Sequence, residues 1–341
     1  MSADRREAGT FSGRVNVTHE YGVLKEVVVG RAENLQLPTY SQDFSRQVHY
    51  APEAAKARMG EMAGQFWQQV DPESYGRAVE QLDHLVRFLE ARGVIVHRPE
   101  LFTAEQRALW SSLSTVNMQI FVRDPMVVIG NNVIETNLRM PYRNKERFGL
   151  QTLLSQLSER TDARIVGMPF QYPVHQDAAD QSSGLYLEGG DVFVLGKDIL
   201  VGYNGRTATS LAGIRWLARY LGDDYRVHPV PLTQDVLHLD DGLALVREGL
   251  AIVLVEQFAH GIPEILKGWD LIEVSKFEAL NYLAGNGLVL RPGEIVIDAR
   301  LPHLAEALSA RNVTVHTIEY DAVTLWAGGL RCSHHPIVRE L

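Results

Sequence analysis

The chain is poor in several things that would have fixed its class. It has one cysteine in 341 residues, Cys332, so an intramolecular disulfide is excluded and a reducing cytoplasm is the expected setting. No apolar run reaches the length of about 18 residues that a membrane span needs. The start lacks the basic stretch and apolar core of a secretory signal. Positive charge is in deficit: 33 Lys+Arg stand against 42 Asp+Glu, a formal net charge of -9, which argues against a nucleic-acid partner. No phosphate loop is present, because Gly285-Asn286-Gly287 has neither the length nor the lysine of one. No H-E-x-x-H is present either, and His334-His335 lacks the spacing that puts two ligands on one helix face. Asp191, His238 and Asp240 are further ligand types without a ligand pattern, so neither metal nor cofactor is expected.

What remains is ordinary globular material, 45% hydrophobic and 22% charged, able to bury a core. Residues 1–14 are expected to be a mobile segment and 15–341 a single catalytic domain, since no long Pro/Gly/Ser linker divides the chain. Short apolar strands recur: 23–29, 94–97, 126–129, 164–166, 192–195, 199–201, 243–246, 252–254, 288–290 and 295–297. Three pairs are separated by hairpin-type turns: Gly196-Lys197-Asp198, Arg247-Glu248-Gly249-Leu250 and Arg291-Pro292-Gly293-Glu294. Helices are expected at 74–92, 210–221, 263–267, 278–284 and 304–310. Strand pair, helix and strand return roughly every 50 to 60 residues, which predicts an internally repeated α/β fold.

Four polar segments carry candidate chemistry. Asp124 precedes the strand at 126, and Glu188-Gly189-Gly190-Asp191 precedes the strand at 192. His238-Leu239-Asp240 puts a base and an acid on one face if extended. Cys332 follows Gly328-Gly329-Leu330-Arg331 and precedes His334-His335. Each segment has a plainer reading: a turn, a surface pair, or a buried structural thiol that packs like a small hydrophobe. Together they suit a site that grips a planar cation, because a guanidinium fork matches carboxylates bidentately. Arg331 is expected to supply charge that lowers the thiol's pKa. The two histidines are expected to be solvated.

These segments, in this order and ending in Gly-Gly-x-x-Cys, resemble the guanidino-group-modifying superfamily: amidinotransferases, arginine and agmatine deiminases, and dimethylarginine hydrolases. Val27-Val28-Val29-Gly30-Arg31-Ala32-Glu33-Asn34 with Pro38, the run ending Val94-Ile95-Val96-His97-Arg98-Pro99, and Gly130-Asn131-Asn132-Val133-Ile134-Glu135 with Arg143 are similar to the amidinotransferase branch. The resemblance implies a five-fold pseudosymmetric α/β propeller with a central site. It implies Cys332 as nucleophile, His238 as general acid/base and Glu188 as the catalytic carboxylate. It also implies Asp124 and Asp240 as guanidinium holders, with Asp191 and Arg331 beside them, and Arg143 at the carboxylate end of the substrate. The implied partners are a small guanidine such as L-arginine, an amine acceptor whose contacts are expected in loops 39–58 and 171–183, and a second copy of the chain in a homodimer. Two positions depart from the transferase pattern. Glu188 stands where those enzymes carry aspartate, as hydrolases do, and Arg331 stands where they carry histidine. Transfer to an amine is the expected second half-reaction, and hydrolysis by water is the alternative.

Overall fold

The computed structural model describes residues 11–37, 48–49, 51–109, 117–170 and 184–341. Seventeen strands, numbered along the chain, fall into five three-stranded sheets and one pair among these residues. The five sheets share one pattern: a first strand antiparallel to a middle strand, and a third strand parallel to that middle strand. β5 (Met126–Ile129), β6 (Asn132–Glu135) and β7 (Arg164–Gly167) form one. β8 (Val192–Leu195), β9 (Asp198–Tyr203) and β10 (Arg226–Pro231) form the next. β11 (Leu243–Arg247), β12 (Leu250–Val253) and β13 (Asp270–Glu273) follow, then β14 (Leu288–Arg291), β15 (Glu294–Asp298) and β16 (Thr314–Ile318). The remaining sheet joins the chain ends: β17 (His334–Glu340) is antiparallel to β1 (Val23–Val29), which is parallel to β3 (Ile95–His97). β2 (Arg31–Gln36) pairs only with β4 (Asn117–Gln119). The sheets are small, and none is closed.

The pattern follows from the sequence. First and middle strands are buried on both faces, so they read as unbroken apolar runs such as Met126-Val127-Val128-Ile129. A parallel return needs a crossover, and helices supply most of them. Helix Leu211–Leu221 is capped by the Ser210 side chain, which accepts from Gly213 N, and buries Ile214, Leu217 and Leu221. The long helix Pro72–Glu90 begins with Pro72 and an Asp71 cap and buries Ala78, Leu82, Leu85 and Leu89. The helix expected at 263–267 is instead one 3-10 turn, Glu264–Leu266, in a crossover built of irregular turns. Its preceding Gly261 and Pro263 leave too short a run to nucleate more.

The expected mobile segment lies outside the described residues as far as residue 10. From there the chain is placed: Ser12 N donates to Glu26 Oε2, Val15 and Val17 are buried, and Asn16 N donates to Ile337 O. Of the two expected acceptor loops, 39–47, 50 and 171–183 lie outside the described residues, while 53–58 open the helix Glu53–Glu61. Among the described residues no helix is long and apolar enough to cross a membrane.

Candidate active site

Every candidate residue but Arg143 stands at the same place in its sheet, just before the first strand. Asp124 leads into β5. The 3-10 turn Gly189–Asp191 leads into β8, and the turn Leu239–Asp241 leads into β11. Gly285-Asn286-Gly287 leads into β14, and Cys332-Ser333 into β17. The repeat thus brings residues more than 200 positions apart onto one set of strand entrances.

Two of these turns meet at their first residues. His238 Nε2 lies 2.8 Å from Glu188 Oε2, and His238 Nδ1 lies 3.9 Å from Asp124 Oδ1. Glu188 Oε1 accepts from Arg139 N, and Asp124 Oδ1 accepts from Gly190 N at 2.9 Å. Gly190 is glycine for a steric reason: a Cβ there would sit 2.7 Å from His238 Nδ1 and 3.0 Å from Asp124 Oδ1. Burial alone would make the imidazole less basic. Asp124, the hydrogen bond that the ring donates to Glu188, and Asp191 outweigh it, so the His238 pKa is held well above 6.5. The same contact works in reverse on Asp124, where burial is overcome by His238 and Arg143 and the carboxyl titrates below its ordinary range. At neutral pH the site therefore holds an imidazolium beside the Asp124 carboxylate.

Arg143 is engaged by side chains of the chain itself. Its guanidinium is buried and forked onto Glu146, at 2.7 Å and 3.0 Å, and onto Asp124 Oδ2 at 2.9 Å, with Glu188 Oε2 at 3.5 Å. Asp124 thus already holds a guanidinium, one supplied by the chain. Glu146, which sequence reasoning missed, is raised by burial to about 7 despite Arg143. Asp124, Glu188 and His238 each offer one atom within 4.8 Å of the others, a spacing a metal ion would accept, with Arg143 already paired to both carboxyl groups.

Arg331 and Asp191 are likewise bonded within the chain. Arg331 donates to Asp240 Oδ2 at 2.8 Å, to Glu20 Oε2 at 3.1 Å and to the carbonyls of Val192 and Gly190, and it lies 3.9 Å over the Phe193 ring. All its donors face protein, so it braces Asp240 rather than meeting a substrate. Asp191 accepts from Leu239 N at 3.0 Å and Thr209 N at 3.4 Å, tying the two turns together. Asp240 differs from both: its Oδ1 is buried and has no hydrogen-bond partner among the described residues. An unpaired buried carboxylate oxygen is costly, and a cationic ligand would satisfy it.

Cys332 Sγ lies 3.8 Å from Asp240 Oδ2 and 3.2 Å from Asn286 Nδ2. The thiol is not activated in the way its neighbours in sequence imply. Burial, then Asp240, Asp124 and Asp241, push its pKa well above 9.0, while Arg331 is paired with Glu20 and Asp240. His334 and His335 are buried rather than solvated: each Nδ1 lies by a carbonyl, Leu330 O and Arg123 O respectively. Burial and then Arg123 hold both rings well below 6.5, so both are neutral.

The arginine deiminase family model matches residues 103–262, a span that contains Asp124, Glu188, His238 and Asp240. The L-arginine:L-lysine amidinotransferase of Pseudomonas savastanoi pv. phaseolicola is 24% identical across 94% of this chain and 93% of its own. The solved inosamine-phosphate amidinotransferase of Streptomyces griseus superposes with a TM-score of 0.76, covering 95% and 97% of the two chains at 23% identity. DDAH from Pseudomonas aeruginosa, a dimethylarginine hydrolase, superposes at 0.62 over 92% and 99%, with 16% identity. The chain is thus similar to amidinotransferases over nearly its whole length and to the arginine deiminase family over its middle. The matches of nearly full length include transferases and a hydrolase alike.

Proposed function

We propose that this chain is a cysteine-dependent amidinotransferase. It takes the amidino group of L-arginine, or of a closely related guanidine, onto Cys332 and passes it to an amine. The observation that carries this reading is the unpartnered Asp240 Oδ1 beside the Cys332 thiol, in a chain similar throughout to amidinotransferases. The five sheets are read as five blades of one propeller domain, with the site at their centre.

The steps follow from the charges. A guanidinium donates an N–H to Asp240 Oδ1 and brings a positive charge beside a thiol that carboxylates hold protonated. That charge offsets them, and the thiol releases its proton to solvent. The thiolate forms an S–C bond to the guanidinium carbon. The His238 imidazolium gives its proton to the leaving nitrogen as the C–N bond breaks. An amidino group remains on sulfur, and His238 is neutral. An uncharged amine then attacks the amidino carbon and gives one proton to His238. The C–S bond breaks and the thiolate is restored. Glu188 and Asp124 hold the imidazole in position through both halves.

A second reading, hydrolysis with water as the acceptor, is favoured by Glu188 at 2.8 Å from His238 and by the arginine deiminase match over the same residues. The deciding experiment incubates the protein with L-arginine, with and without a pool of amines. Ornithine formed only with an amine, together with a new guanidino product, is the expected result. Citrulline with ammonia, or ornithine with urea, formed without an amine would replace transfer by hydrolysis. Cys332→Ser is expected to abolish turnover, a loss of roughly 10⁴-fold or more. Full turnover in that variant would refute the covalent route.

A further inference from the structure

Asn286 lies in the Gly-Asn-Gly segment that sequence reasoning set aside, and its side chain is the most fully used amide near the thiol. Its Nδ2 donates to Asp240 O at 2.9 Å and to Cys332 Sγ at 3.2 Å. Its Oδ1 accepts from Arg331 N at 2.8 Å and from Cys332 N at 3.1 Å. An asparagine amide has two N–H groups and two lone pairs, and all four are engaged. The orientation of the amide follows from its partners. Two of them are backbone N–H groups, which only donate, and one is a backbone carbonyl, which only accepts. The residue is buried, and Gly329 leaves room for it, since a Cβ there would come 2.7 Å from Asn286 Oδ1.

We infer that Asn286 is a catalytic residue, the N–H donor that selects the thiolate of Cys332 and aims it beside Asp240. This rests on the reading of Cys332 as nucleophile. A donor hydrogen bond favours the charged form of its acceptor. Burial, Asp240, Asp124 and Asp241 oppose ionisation of the sulfur, and beside Asn286 the Gly329 backbone favours it. Among the described side chains, Asn286 is the one hydrogen-bonded as a donor to the sulfur. Because the same amide holds the Asp240 carbonyl and the Arg331 and Cys332 amides, it also fixes the sulfur relative to the carboxylate that receives the substrate.

The test needs no substrate. Cys332 is the sole cysteine, so far-ultraviolet thiolate absorbance, referenced to Cys332→Ser, reports one group as pH is raised. Asn286→Leu removes the donor without adding charge. It is expected to raise the midpoint by about one pH unit or more, leaving about tenfold less thiolate below both midpoints. Asn286→Ser, whose shorter hydroxyl does not reach the sulfur, is expected to shift in the same direction, and it decides the matter if the leucine variant does not melt as one folded species. Coincident midpoints in wild type and a folded variant overturn the inference. With arginine and an amine, kcat is expected to fall about ten- to a hundredfold while KM moves less. The two readings fail separately. No arginine turnover in wild type, with a shifted titration, removes the proposed reaction and leaves Asn286 as the thiolate donor. Turnover with an unshifted titration does the reverse.

Discussion

Glu188-Gly189-Gly190-Asp191 and His238-Leu239-Asp240-Asp241 are the same device used twice. Each is a 3-10 turn at the entrance to the first strand of a sheet. In both, the first residue is ionisable, and the two first residues, Glu188 and His238, meet at 2.8 Å. In both, the fourth residue is a buried aspartate spent on backbone amides: Asp191 on Leu239 and Thr209, Asp241 on Leu237 and His238. They differ at the third position. Gly190 is bare because His238 and Asp124 crowd it, whereas Asp240 carries a carboxylate with one oxygen on Arg331 and one unpartnered. The comparison separates scaffold from site: an acid at position four builds the turn, and an acid at position three is available to a ligand.

The sharpest way to break the comparison is to exchange the third and fourth positions by charge. Asp240→Asn removes the proposed guanidinium acceptor and leaves Arg331 short of a partner. Removing one member of a buried ion pair costs about 3–5 kcal/mol, which corresponds to a loss of about 10²- to 10⁴-fold in kcat/KM if it falls on the transition state. Asp191→Asn keeps an acceptor for Leu239 N and is expected to stay within about fivefold of wild type, a difference of about 1 kcal/mol. Steady-state kinetics on both variants checks this. Equal losses would mean that the two aspartates do the same job.

Gly190→Ala tests the bare third position. The added methyl must displace either the imidazole or the Asp124 carboxylate, since it would otherwise lie 2.7 Å and 3.0 Å from them. A misplaced general acid costs roughly 10- to 100-fold in kcat, with the Cys332 titration unmoved. Wild-type kcat in Gly190→Ala would show that His238 is not held by this contact.

Much of this was legible before any coordinates. First and middle strands are buried on both faces, so β1, β5 and β8 were read to the residue and β9, β12 and β15 within one or two, while the middle strand β6 was missed. Several third strands were missed because they are half exposed and mixed in composition: Arg226–Pro231, Asp270–Glu273 and Thr314–Ile318. β17 was hidden by its polar start, two histidines that are buried and neutral. Asp124, Glu188, His238, Asp240 and Cys332 were read from motif order, and the structure brings them together. The direction of each side chain was not in the motif. Arg331 precedes Cys332 but turns to Glu20, a residue 311 positions away that no local pattern points to. Asn286 had a signal that went unused: it stands before β14 as Glu188 stands before β8.

The smallest expected effect concerns the fourth position and is read in stability. Burial raises Asp191 to about 7 against an ordinary value of 3.8, with His238 and the Thr209 and Leu239 bonds pulling the other way. Between those values the folded chain holds a proton that the unfolded chain has lost. The stability this group contributes is therefore fully present below pH 3.8 and disappears as pH rises through about 7. Asp191→Asn fixes the neutral form. Asp241, also raised to about 7, and His238, raised well above 6.5, remain and have the same sign, so the variant should lose only part of the slope. Between about pH 5 and about pH 8 its Tm is expected to fall less than wild type, by on the order of 5 °C. An identical fall in both proteins would mean that Asp191 is ionised in the folded chain throughout, and that its two amide bonds outweigh its burial.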